Sequence, residues 1–188
     1  KMLYLNKAIT AMNNLLPSNI YLLTKSLSKS FYITPHITML SKHASDLKLY
    51  NNKIMRLELR ALEYNLSGIR NDKEAASLIN RIENISNQLT RTTQDKTNFL
   101  KIRLAIMKSA YLAWVEADYQ SALKEALYAY ELIKTLLSPD HYNDEYLMIY
   151  NRLARLYSIM GDNNNAFKYA YLGKEIIDGS KNFLDYQN

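Results

Sequence analysis

The segments 117-ADYQSA-122 and 161-GDNNNA-166 follow one pattern, and their aspartates lie 44 residues apart. In each segment a small residue and an aspartate come first, and small residues follow four, eight and eleven positions past the aspartate. A third, weaker copy lies upstream, where Asn71-Asp72 precedes Ala75-Ala76. Self-similarity with this period is typical of stacked helical repeats, which more often build binding surfaces than active sites.

The small residues predict closely packed helices. They are Ala122, Ala126 and Ala129 after the first aspartate, and Ala166, Ala170 and Gly173 after the second. Residues with this spacing share one face of an α-helix, so a neighbouring helix can approach closely. We expect Ala122, Ala126, Ala166 and Ala170 to face such a neighbour. The aspartate before each stripe lies near the start of the new helix, where its charge is favourable with the helix dipole.

The copy around Gly161-Asp162 extends into the helix before it and resembles the tetratricopeptide repeat (TPR) family. It reads Tyr150-x-x-Leu153-Ala154-x-x-Tyr157-x-x-x-Gly161-Asp162-x-x-x-Ala166-x-x-x-Ala170-x-x-Gly173. The middle copy matches in its second helix, and in its first helix Ser109 occupies the leucine position. The upstream copy fits through Leu59, Leu62, Leu66, Ala75, Ile79 and Ile82, in a register one residue away from the aspartate spacing.

The resemblance covers roughly residues 56–178 and implies an all-α fold. Antiparallel helix pairs would stack as a right-handed superhelix of the divergent, long-repeat type. We predict a single domain, with N-terminal helices over 1–52, three repeats over 53–178 and a tail over 179–188. Nine helices are expected, with one helix ending before Pro35, another starting there, and Gly179 capping the last. The N-terminal helices should stack on the repeats, because no Gly/Ser/Pro-rich linker separates them.

Composition and motifs argue against several classes of protein. No cysteine is present, no apolar run reaches about 18 residues, and no phosphate-binding loop or Ser/His/Asp order occurs. We therefore predict a cytoplasmic protein that is not an enzyme, with no cofactor, no metal and no membrane span. His36 and His43 are expected at the surface. Asp140, His141, Asp144 and Glu145 are expected in the loop before a helix, where acidic residues that start the helix explain Asp144 and Glu145 without a metal site.

The charge is unevenly distributed along the chain. Residues 1–100 carry 14 Lys and Arg against 7 Asp and Glu, whereas residues 101–188 carry 10 against 11. A basic N-terminal half is compatible with a nucleic-acid partner. The basic residues are spread out rather than clustered, which favours an ordinary solvated surface.

The candidate binding residues follow from the family resemblance, which implies that the first helix of each repeat faces a concave groove. By position these residues are Arg60, Tyr64, Met107, Tyr111, Trp114, Asn151, Arg155 and Ile159. Asn151 and Arg155 lie one turn apart and can hold a peptide backbone or carboxylate. Trp114 is interpreted either as a ligand anchor or as a core residue. Most of the sixteen tyrosines are expected to pack between helices.

These observations predict a protein- or peptide-binding TPR-like module. It would form the sensory or scaffolding region of a larger bacterial regulator or signalling protein. The partner would be a protein or peptide, and the sequence is also compatible with a homodimer. The alternative is a nucleic-acid-associated helical repeat that uses the basic N-terminal half.

Overall fold

The computed structural model of the chain describes residues 2–15, 27–66, 71–90, 98–136 and 143–185. Within these ranges the chain forms eight α-helices and no strand. The helices are α1 Met2–Leu15, α2 Leu27–Asp46, α3 Asn52–Tyr64, α4 Asp72–Thr90, α5 Asn98–Trp114, α6 Tyr119–Leu136, α7 Asn143–Ile159 and α8 Asn163–Asp185. The predicted all-α fold is confirmed. None of the helices in these ranges has both the length and the apolar character needed to cross a bilayer.

Equivalent caps begin the second helix of each repeat. The side chain of Asp118 accepts a hydrogen bond from the backbone N–H of Ser121 at 3.0 Å, and Asp162 accepts one from Asn165 at 3.1 Å. Hydrogen bonds from the side chains of Ser121 and Asn165, followed by those from their backbone N–H groups, lower the pKa of both aspartates. Each cap follows a residue with positive φ, Ala117 at 53° and Gly161 at 81°. The predicted turns and helix starts are confirmed.

In the upstream repeat the second helix is capped by Asn71 rather than by Asp72. The side chain of Asn71 accepts from the backbone N–H of Glu74 at 3.2 Å, and its carbonyl accepts from Ala75 at 2.9 Å. Asn71 therefore corresponds to Asp118 and Asp162, whose carbonyls accept from Ala122 and Ala166. With this assignment the apolar positions of all three copies fall in one register. The slipped turn suggested by the aspartate spacing is not needed.

The chain divides into two compact units, residues 1–107 and 108–188, with the boundary inside α5. In the first unit α1 packs on α3 and α2, and α3 packs on α4. Polar contacts join α1 to α3: Asn13 donates to the carbonyl of Lys53 at 3.0 Å, and Arg60 donates to the carbonyl of Asn13. Both N-terminal helices, α1 and α2, thus contact α3, and their membership of one domain with the repeats stays a prediction.

The second unit packs α7 against both α6 and α8 around a cluster of tyrosines. The Tyr130 ring lies 6.0 Å from Tyr150 and 5.8 Å from Tyr169, measured between ring centroids. Tyr157 stacks on Tyr169 at 5.7 Å with an interplanar angle of 3°. Such ring pairs add to the area that the side chains bury. The expected packing role of the tyrosines is confirmed for this cluster.

The stripe of small residues is buried in one repeat and only partly in the next. Ala122, Ala126 and Ala129 are at most 1% exposed, as predicted. On α8, Ala166 is half-buried and Ala170 is exposed, so the expectation for Ala170 is wrong. The buried position on α8 is Tyr169, which faces the tyrosine cluster. The close approach to α7 occurs instead at Gly173, where an added Cβ would lie 3.7 Å from that of Tyr150.

Two predicted helix ends are also wrong. Pro35 lies inside α2, which runs without interruption from Leu27 to Asp46. The buried side chains of Ile37, Ser41 and Ala44 after it hold the helix against α3, and this packing offsets the missing N–H of the proline. Gly179 lies inside α8, with no left-handed backbone, so residues 179–185 continue the helix and are not a tail. The helix predicted over 20–32 falls partly outside the described residues.

Candidate functional site

Trp114 is the last residue of α5, and its side chain is 48% exposed. The helix ends here because the following turn reverses the chain, and the N–H of Asp118 returns to the carbonyl of Leu112 at 2.9 Å. The neighbouring Ala113 and Ala110 are buried, and Lys108 of the same part of α5 pairs with Glu125 of α6 at 2.8 Å. Trp114 is therefore an exposed ring on a fixed helix end and not a core residue.

Two arginines of α7 lie over the indole ring of Trp114. The guanidinium carbon of Arg152 is 4.4 Å from the ring centroid, and that of Arg155 is 5.9 Å away. Residues three apart on a helix project from the same side, so α7 presents both guanidiniums to one ring. A cation above an indole face is attracted by the quadrupole of the ring. The result is a surface with a large flat apolar group and two positive charges.

Asn151 and Ile159 extend this surface along α7. They stand four residues before and after Arg155, and all three side chains are exposed. Ile159 is 56% exposed, which adds an apolar contact at the end of the helix. Tyr111 is half-buried on α5, one turn before Trp114. Five of the eight predicted binding residues thus lie in the second unit with at least part of each side chain accessible.

The opposite side of α7 fixes the orientation of these residues. Tyr146, Ile149, Tyr150, Leu153 and Leu156 are buried against α6 and α8. Burial, with the neighbouring hydroxyls of Tyr130, Tyr146 and Tyr169, raises the pKa of Tyr150 to about 12. Because one face of α7 is buried in this core, the face with Asn151 and Arg155 must point outward.

The other three predicted binding residues belong to the first unit and have structural roles there. Tyr64 and Met107 are 5% and 8% exposed, so neither offers much area to a ligand. Burial raises the pKa of the Tyr64 hydroxyl. Arg60 is half-buried and binds the carbonyl of Asn13 in the last turn of α1. Its burial, and then the charges of Arg56 and Arg103, lower the pKa of its guanidinium. We therefore remove these three residues from the candidate site.

Sequence reasoning missed Arg152. The family register placed Asn151 and Arg155 in the groove, and Arg152 lies one position past Asn151, toward the buried Leu153. A signal was present, since two arginines three residues apart share a side of any helix. Only the position of Trp114 shows that Arg152 is the arginine closer to the ring.

No cluster of three or more metal-binding side chains occurs in the part of the chain that the structure describes. His36 and His43 are exposed on α2, as expected. Asp144 and Glu145 lie in the first turn of α7, in agreement with the prediction that they start a helix. Asp140 and His141 lie outside the described residues.

Comparison with known proteins gives no matching family model, no matching curated protein and no matching solved structure. The TPR resemblance thus depends on the residues of this chain alone. The surface formed by Trp114, Arg152, Arg155, Asn151 and Ile159, called the Trp114 surface below, is the candidate functional site.

Proposed function

We propose that this chain is a protein- or peptide-binding helical-repeat module and that the Trp114 surface binds a segment of a partner protein. The segment presents a carboxylate beside an apolar side chain. Placement within a larger bacterial regulator, the right-handed superhelix and the cytoplasmic location remain predictions. A homodimer also remains a prediction.

The observation that carries the proposal is the half-exposed Trp114 ring beneath two guanidiniums. Tryptophan and arginine are the residue types that contribute most to binding energy at protein interfaces. A guanidinium is weakly hydrated and stacks on aromatic faces, and Arg155, the exposed arginine of the two, can turn its N–H groups toward a ligand. These N–H groups can grip a carboxylate in bidentate fashion. An apolar side chain of the ligand would then cover the ring and Ile159.

Asn151 supports an extended ligand backbone. Its exposed amide lies one turn before Arg155 on the same side of α7. A side-chain amide both donates and accepts, which matches the alternating N–H and C=O groups of a peptide. The Trp114 surface therefore offers an anchor for an apolar side chain, a grip for an acid and an amide for the backbone.

A nucleic-acid partner is the second candidate, since indole and guanidinium groups also stack on bases. The contacts of the first unit argue against it. Among the basic side chains of residues 1–100, Lys53 binds the hydroxyl of Thr10, Arg60 binds the carbonyl of Asn13, and Arg81 pairs with Glu58 and Glu74. These side chains join helices to one another, and Arg81, which pairs with two carboxylates, offers no net charge to a phosphate.

The single tryptophan makes a direct experiment feasible. We expect peptides with Asp or Glu beside Leu or Phe to change Trp114 fluorescence, and peptides with Lys in place of the acid to have no effect. Arg155→Ala should weaken binding about tenfold, the equivalent of about 1.4 kcal/mol. Trp114→Ala, followed with a labelled peptide, should weaken it about 30-fold, because truncating an interface anchor costs about 2 kcal/mol.

Arg56→Ala is the matched control, because Arg56 is an exposed arginine on α3. This variant should bind as the parent chain does. Equal binding of acidic and basic peptides would refute the proposal. A single-stranded oligonucleotide that quenches Trp114 with a steep dependence on salt would favour the alternative, since phosphate contacts release counterions.

A further inference from the structure

One side of α8 presents large apolar side chains to solvent. Phe167 is 76% exposed, Tyr171 60% and Ile177 44%, and the small side chain of Ala170 is exposed between them. These four residues and Lys174 fall on one side of the helix, within three turns, and are called the α8 surface below. Adjoining apolar side chains on the outside of a protein mark a site of interaction.

The preceding repeat carries two of the same residues at the same positions of its second helix. Ala126 of α6 corresponds to Ala170 of α8, 44 residues later, and Ile133 corresponds in the same way to Ile177. On α6 the alanine and the isoleucine are each 1% exposed. On α8 both are exposed, the isoleucine to 44%. Thus α8 presents to solvent the side-chain types that α6 buries.

Helix α7 covers this side of α6. Tyr130 lies four residues after Ala126 and three before Ile133, so the three residues share one side of the helix. The Tyr130 ring is 6.0 Å from the ring of Tyr150 on α7, measured between centroids. This side of α6 therefore faces α7, which packs on α6. The counterpart of Tyr130 on α8 is Lys174, in the middle of the α8 surface.

We propose that the α8 surface binds an amphipathic helix of a partner protein, in the way that α6 binds α7. The buried side of α7 defines the chemistry of that helix. It consists of Tyr146 and Tyr150, one turn apart, with the aliphatic side chains of Ile149 and Leu153 beside them. The α8 surface and the Trp114 surface have no residue in common, so this inference goes beyond the proposed function and is tested separately.

The charges of the α8 surface favour a helix with an uncharged inner side. The ammonium of Lys174 pairs with the carboxylate of Asp178 at 2.7 Å, which balances the one positive charge of the surface. An acidic peptide or a nucleic acid therefore gains little from it. The same ammonium can lie over a tyrosine ring of the incoming helix, as Lys134 lies over the Tyr130 ring at 5.1 Å.

The probe is a synthetic peptide with the sequence of residues 143–159, which form α7. Isolated helices of this length are marginally stable in water, so a hydrocarbon staple joins positions 151 and 155, on the exposed side of α7. The fluorescence anisotropy of the labelled peptide should rise to saturation as the full chain is added. A control peptide with Tyr146→Ser and Tyr150→Ser should show no rise, because it lacks the aromatic part of the inner side.

Phe167→Glu should weaken peptide binding at least about tenfold, because it places a charge against the apolar side of the peptide. Phe167 is largely exposed, so the variant should keep its fold, which circular dichroism checks. Tyr128→Glu is the matched control: Tyr128 is an aromatic residue of α6 with 52% exposure, and this variant should bind as the parent chain does. Trp114→Ala should also bind the peptide as the parent chain does.

Absence of saturable binding, or binding that Phe167→Glu leaves undiminished, would overturn the proposal. Loss of binding in Trp114→Ala would assign the peptide to the Trp114 surface and would overturn it as well. Sedimentation velocity of the chain without peptide tests a second copy as the occupant, and we expect a monomer. A dimer that Phe167→Glu converts to a monomer would assign the α8 surface to self-association in place of a partner helix.

Discussion

Replacing Ala126 by leucine tests the packing of the second unit. Ala126 is 1% exposed on α6, between Ala122 and Ala129, which are both 0% exposed. Leucine adds three carbon atoms at a position that is already buried. Overpacking of this kind typically costs about 1 to 3 kcal/mol. For a chain of this size that corresponds to a fall in melting temperature of about 2 to 12 °C.

Ala170→Leu is the matched control for this prediction. Ala170 holds the same repeat position as Ala126, 44 residues later, but it is exposed on α8. The difference in helix propensity between alanine and leucine is small and affects both variants alike. We expect Ala170→Leu to change the free energy of unfolding by less than about 0.5 kcal/mol.

Thermal unfolding followed by far-UV circular dichroism measures both variants directly. The reasoning would be refuted if Ala126→Leu unfolded at the temperature of the parent chain. It would also be refuted if Ala170→Leu lowered the melting temperature by the same amount. That result would mean that the two repeats bury the same stripe and that the assigned face of α8 is wrong.

Two further predictions concern buried hydroxyls. Ser109 is 0% exposed, and its Oγ has no hydrogen-bond partner in the described ranges. Ser109→Ala should therefore raise the free energy of unfolding, measured by chemical denaturation, by about 1 kcal/mol. A loss of stability would show that the hydroxyl does have a hydrogen-bond partner. Tyr150 has its pKa raised to about 12 in the folded chain, so the stability it contributes is complete below about pH 10 and is lost as the pH rises toward 12. Tyrosinate absorbance and circular dichroism should change together in that range, and Tyr150→Phe should move the transition to higher pH; complete tyrosine ionisation near pH 10 with the fold intact would contradict this.

Much of the fold follows from local chemistry and was predictable. Asp118 and Asp162 start helices because a short acidic side chain can accept from the N–H groups of the first turn wherever the chain is placed. Gly161 permits the left-handed turn before Asp162 for a similarly local reason. The apolar period along the chain is long enough to identify helices without any knowledge of their neighbours.

The helix break that was wrongly predicted at Pro35 depends on contacts with a distant part of the chain. Proline removes one hydrogen bond from a helix, and whether the helix continues depends on the packing around it. In α2 the buried residues after Pro35 supply that packing against α3. At Gly179 a left-handed backbone would have ended α8, but the glycine adopts a helical conformation and the helix continues.

The candidate site, too, was predictable from the sequence only in part. The sequence by itself determined that Trp114, Asn151 and Arg155 lie on first helices of two repeats, because the 44-residue period and the helix period fix that much. It did not determine exposure, which depends on which neighbour covers a face. Ala126 and Ala170 hold the same position in the pattern but differ in burial. Tyr64 and Trp114 were both predicted to line the groove, yet Tyr64 is buried and Trp114 is exposed. Only the tertiary structure placed Arg152 over the indole ring and enclosed Glu58 beside Arg81, because both contacts join residues that are distant in the chain.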